Sequence, residues 1–127
     1  MILGVGIDLC PIARMEDFCR RWGERGEAKL FTAEERRYCR GKGLPGQHFA
    51  ARFAAKEAAL KALGVPEGLS WHELEIVSDR GPRLVLSGVA ARAAAARGVV
   101  RAHVTLTHVE TMAAAVVSTW VLSLIHI

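Results

Sequence analysis

Two carboxylates, Asp8 and Glu57, and the cations near them in sequence are the residues of this 127-residue chain best suited to chemistry. Asp8 closes an apolar run, Ile2-Leu3-Gly4-Val5-Gly6-Ile7, that reads as a buried strand. A carboxylate in that position must be hydrogen-bonded, paired or metal-bound to offset its desolvation. Two readings stay open: a cap for the next helix, with Pro11 just inside the helical pattern, or a metal ligand. Glu57 precedes Lys61 by four residues in a helical stretch, the favourable order, worth only about 0.2–0.5 kcal/mol. An ordinary surface ion pair is the plain alternative. Lys42 lies in a Gly/Pro/Lys loop, free to reach a phosphate or simply solvated, and His108 ends an alternating strand as a candidate structural or site histidine.

These residues need elements to hold them. Residues 50–63 carry no Pro and no β-branched side chain, are dominated by Ala, and are followed by Gly64 as a C-cap, which predicts a helix. At about 100° per residue, Ala51, Ala54, Ala55, Ala58, Ala59 and Ala62 share one half, which lets another backbone approach closely. Arg52, Phe53, Lys56, Glu57, Leu60, Lys61 and Leu63 share the other, too charged for plain core and too apolar for a plain solvated face. Glycines 4 and 6 leave room on the first strand for a neighbouring backbone or ligand.

Residues 11–22 predict an amphipathic helix with a basic side formed by Arg14, Arg20 and Arg21, followed by Arg25. Thr32-Ala33-Glu34-Glu35 is a capping box opening a helix to about Arg40, with Glu35 expected to satisfy only its own terminus. Residues 41–46 are expected as loop. A strand over 71–78, a turn at 79–82 and a strand over 83–86 follow, then an Ala-rich helix capped by Ser87 and ended by Gly98. Residues 102–108 alternate, with His103, Thr105 and Thr107 on one face and Val104, Leu106 and His108 on the other, and pair as a hairpin with a strand over 112–121. The pattern is α+β: a small mixed or antiparallel sheet packed against a long central helix, in one domain over 1–121.

Seventeen basic residues against 13 acidic ones give a net charge of +4 and favour an anionic partner. Few aromatics and no arginine-glycine repeats speak against nucleic acid. Three cysteines, Cys10, Cys19 and Cys39, have no metal-ligand spacing and read as reduced cytoplasmic thiols. No signal peptide is visible, and residues 111–127, though uncharged, fall short of the ~20 apolar residues of a spanning helix. Residues 122–127 resemble a translated library adaptor and are expected to be a non-native tail; His126 is given no role.

Three segments together carry a resemblance: Gly4-Val5-Gly6-Ile7-Asp8; Arg52-Phe53-Ala54-Ala55-Lys56-Glu57-Ala58 with Lys61-Ala62-Leu63-Gly64; and Val104-Thr105-Leu106-Thr107-His108. In this order and at these separations the chain resembles the 4′-phosphopantetheinyl transferases, in their short bacterial form. That resemblance implies transfer of the phosphopantetheine arm of coenzyme A to a serine of apo-acyl carrier protein, with release of adenosine 3′,5′-bisphosphate. It implies magnesium on Asp8 and Glu57, and coenzyme A bound by Arg52, Lys56, Lys61, Thr107, His108 and Lys42. It also implies catalytic roles for Glu57, Lys61 and His108, with Arg14 and Arg21 meeting the acidic carrier protein. A cytoplasmic homotrimer with active sites between subunits is implied as well.

The chemistry agrees with these residue types. Serine attack on a pyrophosphate builds negative charge on non-bridging and leaving oxygens. Magnesium held by one or two carboxylates, with lysines as point charges, suits that demand. Glu57 through a water, or His108, is a candidate acceptor of the serine proton. Two rivals remain at this level. A basic binding module without chemistry explains the charge but not the two carboxylates. An unrelated magnesium-dependent nucleotide enzyme is the other.

Overall fold

The structure is a computed structural model that describes residues 1–122. Apart from Leu122, the expected non-native tail lies outside the described residues. A first strand β1 (Ile2–Pro11) leads into helices α1 (Ile12–Leu30), α2 (Ala33–Arg40) and α3 (Pro45–Ala62). A 3-10 turn (Trp71–Glu73), strands β2 (Leu74–Ser78) and β3 (Pro82–Leu86) and helix α4 (Gly88–Ala96) follow, then β4 (Val99–His108) and β5 (Met112–Val121). The main sheet is antiparallel in the order β1-β5-β4, and β2-β3 form a separate hairpin.

Helix α3 lies on that sheet through its alanines. Ala54, Ala55, Ala58 and Ala59 are fully buried, as are Ala113, Val117 and Thr119 on the facing side of β5. The approach is close enough to require glycine on β1. A Cβ at Gly6 would stand 1.8 Å from the Ala58 carbonyl oxygen, and one at Gly4 would stand 2.4 Å from that of Ala62. The alanine face and the two glycines are thus the two sides of one contact. It fixes the height of Asp8, two residues past Gly6, against α3.

The opposite face of the sheet is open. Val5, Ile7 and Leu9 on β1 each expose more than half of their surface, and Val116 on β5 is exposed beside them. Ile7 and Thr105 flank Val116 in register, so this apolar stripe borders the outward hydroxyls of β4.

Several boundaries differ from expectation. β1 runs on to Pro11, so Asp8 sits within the strand opposite Ala115, and Pro11 is itself the N-cap of α1, with no side-chain cap. The helix-cap reading of Asp8 is therefore set aside. Helix α1 continues past the predicted end at 22, after a break at Gly23 whose φ of 59° and ψ of −148° are not helical. Helix α3 starts at Pro45, inside the predicted loop, because Pro at the first helical position is preset for that φ. Trp71 belongs to the 3-10 turn, capped by Ser70, rather than to a strand. Ser87 does occupy the α4 N-cap position but makes no side-chain cap bond. Glu73 serves instead, accepting from the Val89 backbone N–H at 2.5 Å.

Candidate active site

Asp8 and Glu57 come together where α3 crosses β1. Their carboxyls share a side-chain hydrogen bond, although the residues are 49 positions apart (57 − 8). Burial, then the Asp8 charge, then that hydrogen bond push the Glu57 carboxyl up to about 7, against the opposing pull of Lys61 and Arg14. Asp8 is held by the Leu9 backbone N–H at 2.9 Å. Lys61, one turn after Glu57, reaches across to β1: its Nζ donates to the Ile7 carbonyl at 3.1 Å and lies 3.7 Å from Asp8 Oδ1. β1 is an edge strand, which leaves its carbonyls available for that contact.

Two close carboxylates, one of them holding its proton unusually tightly, are a donor set in want of a cation. Hard oxygens, only two protein ligands and an open side fit magnesium, which keeps waters and takes substrate phosphates as its remaining ligands. Among the described residues no group of three or more His, Cys, Asp or Glu gathers as a metal cage. A two-carboxylate site completed by substrate is consistent with that.

Beside the pair lies a cavity of about 320 Å³ lined by Leu9, Cys10, Arg14, Met15, Phe53 and Glu57, among others. Arg14 thus borders the same opening as Glu57, from the first turn of α1. The Cys10 thiol in its wall is pushed up to about 11, by burial first and the Glu57 charge second, so it stays protonated. Arg21 lies a further two turns along α1, its guanidinium 5.7 Å from the ring centre of exposed Trp22.

A second charged cluster gathers at the start of α3. Arg52 is buried, donates to Ser78 Oγ at 2.7 Å and to the His48 carbonyl at 3.5 Å, and stacks 4.2 Å from the Tyr38 ring centre. Lys42 Nζ lies 4.5 Å from the centre of the same ring. The His108 ring is 6.5 Å from that of His48, so its face of β4 does turn toward α3. Asp8 and His108 occupy opposite edge strands, separated by β5 and offset by two residues in register, and so by about 12 Å. Arg52 and Glu57 are about 140° apart around α3. Thr107 points to the open face of the sheet, with Thr105, and is not brought to either cluster within the chain.

Lys56 requires a correction. It is fully buried, and its three ammonium hydrogens have three partners: Glu35 Oε1 at 2.8 Å, the Trp71 carbonyl at 2.8 Å and the Leu74 carbonyl at 3.0 Å. Nothing remains for a coenzyme A phosphate, so Lys56 leaves the ligand set. Glu35 changes with it. Beyond its capping box it accepts from the Ile76 backbone N–H at 2.8 Å and pairs with Lys56, tying α2, α3 and β2 together.

Sequence reasoning missed His48 and Tyr38. His48 stands one turn before Arg52, the spacing that puts two helix residues on one face. Starting the helix at 50 instead of 45 hid that relation.

Comparison with known proteins gives one family throughout. A model of the 4′-phosphopantetheinyl transferase superfamily matches residues 4–117. The chain is 47% identical over 123 residues to a holo-[acyl-carrier-protein] synthase of Anaeromyxobacter dehalogenans, covering 92% of this chain and 94% of the relative. Its fold is similar to the crystal structure of holo-[acyl-carrier-protein] synthase from Neisseria meningitidis, with a TM-score of 0.83 at 27% identity, covering 94% of this chain and 99% of that one. It is also similar to the Helicobacter pylori enzyme solved in complex with coenzyme A, with a TM-score of 0.79 at 28% identity, covering 91% and 99%.

Proposed function

The chain belongs to the 4′-phosphopantetheinyl transferase superfamily, and from that premise we propose how its own residues carry the reaction that moves the phosphopantetheine arm of coenzyme A onto a serine of apo-acyl carrier protein. The observation that carries the reading is the Asp8–Glu57 pair, two carboxylates from distant parts of the sequence sharing a hydrogen bond at the open edge of β1. Asp8 and Glu57 would hold magnesium, which would supply positive charge to offset the negative charge that builds on the pyrophosphate. Lys61, already aimed at Asp8, places a point charge on the same phosphates.

Glu57, acting through one water, and the His108 of a neighbouring copy are the two groups that can take the serine proton. Coenzyme A carries a pyrophosphate and, apart from it, a 3′-phosphate. Two separate charged clusters match that division: Asp8, Glu57 and Lys61 for the first; Lys42, Arg52 and His108 for the second.

The clusters face opposite edges of one chain, so we place the complete site between copies of a homotrimer, with Thr107 contributed from the sheet face. The exposed stripe of Val5, Ile7, Leu9 and Val116 is the surface such an assembly would cover. Arg14, at the mouth of the cavity beside Glu57, and Arg21 receive the acidic carrier protein. Three free cysteines suit a cytoplasmic enzyme, and among the described residues no helix is long and apolar enough to cross a membrane.

The test is a mass assay. Purified protein, coenzyme A and apo-acyl carrier protein should give carrier with the added phosphopantetheine mass in the presence of magnesium and none with a chelator. Asp8→Ala and Glu57→Ala should each abolish the addition. Undiminished rates in both variants would remove the metal assignment.

A further inference from the structure

The cation cluster at the start of α3 contains a residue that neither the sequence motifs nor the family resemblance assigns. His48 lies in the first turns of α3 with its ring between two others: Tyr38 of α2, edge-on at 5.9 Å, and His108 of β4 at 6.5 Å. The groups facing it are Tyr38 from α2, Lys42 from the α2–α3 loop, Arg52 from its own helix and His108 from β4, with Ser78 of β2 behind Arg52. The carboxylates packed on this part of the molecule lie off the cluster: Glu35 is paired with Lys56, and the other is Glu16 of α1. It packs on Gly46, about half a turn around the helix from His48.

Such a cluster is incomplete as it stands. Arg52 is 4% exposed, its Nε has no hydrogen-bond partner, and its two recorded acceptors, a hydroxyl and a carbonyl, are both neutral. A buried guanidinium without a counter-charge is costly. The first turn of an 18-residue helix adds partial positive charge. An anion that enters meets Lys42, Arg52 and the helix end, and then two imidazoles.

We propose that His48 is a further substrate-binding residue of this enzyme: with Lys42, Arg52 and His108 it encloses a phosphate monoester and takes up a proton as that dianion enters. The inference rests on the reading that this cluster faces a coenzyme A phosphate. In the free protein His48 is kept below its ordinary value, by burial first and then by Arg52, Lys42 and His108, so near neutrality it is the unprotonated ring. A dianion reverses the sign of the local field. The ring nitrogen lone pair then accepts a proton from solvent and the imidazolium donates to a phosphate oxygen. A phosphate monoester is the right chemical class, since its second ionisation near pH ~6 leaves it a dianion at neutrality, whereas a diester carries one charge. His48 therefore discriminates for a terminal phosphate over a bridging one.

The probe is adenosine 3′,5′-bisphosphate, titrated calorimetrically into the wild-type protein and His48→Gln in two buffers of different ionisation enthalpy. Wild type should take up roughly half a proton or more per site at pH 7. Its affinity should tighten about three- to fivefold from pH 7.5 to 6.5, below the tenfold per pH unit that one fully linked proton allows. His48→Gln should lose most of the uptake and most of the pH dependence. Absence of bisphosphate binding to the wild-type protein would overturn the phosphate reading of the cluster itself. Binding with the same proton uptake in His48→Gln would leave that reading intact and overturn the role of His48. Should His48→Gln fail to fold, NMR titration of the wild-type His48 ring decides: its midpoint must rise on adding the bisphosphate, and an unmoved midpoint sinks the inference.

Discussion

Lys56 and Glu35 form an ion pair with both side chains fully buried, 2.8 Å from Nζ to Oε1. Lys56 is the immediate neighbour of Glu57, yet it turns inward while Glu57 turns to the open edge of β1. Burial lowers the Lys56 ammonium from its ordinary value, and Glu35 opposes that shift. Removing one partner leaves the other charge buried and unpaired, at a cost of about 3–5 kcal/mol. Lys56→Met and Glu35→Leu should each lose stability on that scale in denaturant unfolding, and the double variant should lose less than the sum. Below its melting temperature, Lys56→Met should keep the wild-type KM for coenzyme A. A large rise in that KM with unchanged stability would return Lys56 to the phosphate site.

The close approach of the β1 and α3 backbones at Gly6 should be equally sensitive. Gly6→Ala places a methyl 1.8 Å from the Ala58 carbonyl oxygen, which cannot move without disturbing α3. Overpacking of this kind costs about 1–3 kcal/mol. Because β1 carries Asp8 and α3 carries Glu57, the same shift separates the two carboxylates. Gly6→Ala should therefore lower kcat more than its loss of stability explains, measured where the variant is fully folded. Unaltered kcat would mean that the strand-to-helix spacing does not set the carboxylate pair.

Some of this was legible in the sequence and some was not, for physical reasons. The alanine face of α3 and glycines 4 and 6 announced a close packing, because small residues in periodic positions have few other uses. A capping box accounts for Glu35 locally, whereas its bonds to Lys56 and Ile76 join residues 21 and 41 positions away (56 − 35 and 76 − 35). Periodicity put Lys56 on the charged half of α3 but could not show that α2, β2 and the 3-10 turn cover that half. His48 is hidden in the sequence because a Gly/Pro-rich stretch reads as loop, whereas Pro45 starts the helix.

The Glu57 carboxyl makes metal binding depend on pH. Its folded value is raised to about 7, chiefly by burial and Asp8, so the folded protein holds this proton more tightly than the unfolded chain does. The sign follows directly: without metal, this group's contribution to stability is present at low pH and is lost as pH rises from the ordinary carboxyl value through about 7. Magnesium binds the ionised form. The rise in melting temperature on adding magnesium should be small at pH 6 and clearly larger at pH 8, and Asp8→Asn should abolish it. An equal rise at both pH values would show that Glu57 does not titrate against the metal.

Arg14 lines the cavity that contains Glu57 and acts on its carboxyl through its charge. A cation at that mouth should steer an acidic carrier protein, and salt screens such steering over about 10 Å at 0.1 M. Arg14→Ala should raise the KM for the carrier several-fold at low ionic strength, with a smaller effect at high salt and little change in the KM for coenzyme A. An unchanged carrier KM at low salt would remove Arg14 from the docking surface.

The placement of the two charged clusters at opposite edges of the sheet leads to a mixing experiment. If each site takes its carboxylates from one copy and its cations from the next, two inactive variants can repair each other. Glu57→Ala lacks the metal pair but keeps Lys42 and His108; Lys42→Ala/His108→Ala lacks the exposed cations but keeps Glu57. In a closed cyclic trimer every copy offers both edges once, so each interface joins one carboxylate edge to one cation edge. Random reassembly of equal amounts then makes about a quarter of interfaces intact on both sides, and activity should return to about that fraction of wild type. Sites built within one chain would return none, because every chain in the mixture carries a defect. Activity after mixing that stays at the level of the separate variants would therefore confine the site to a single chain and leave the open face of β1 and β5 without a catalytic reason to be covered.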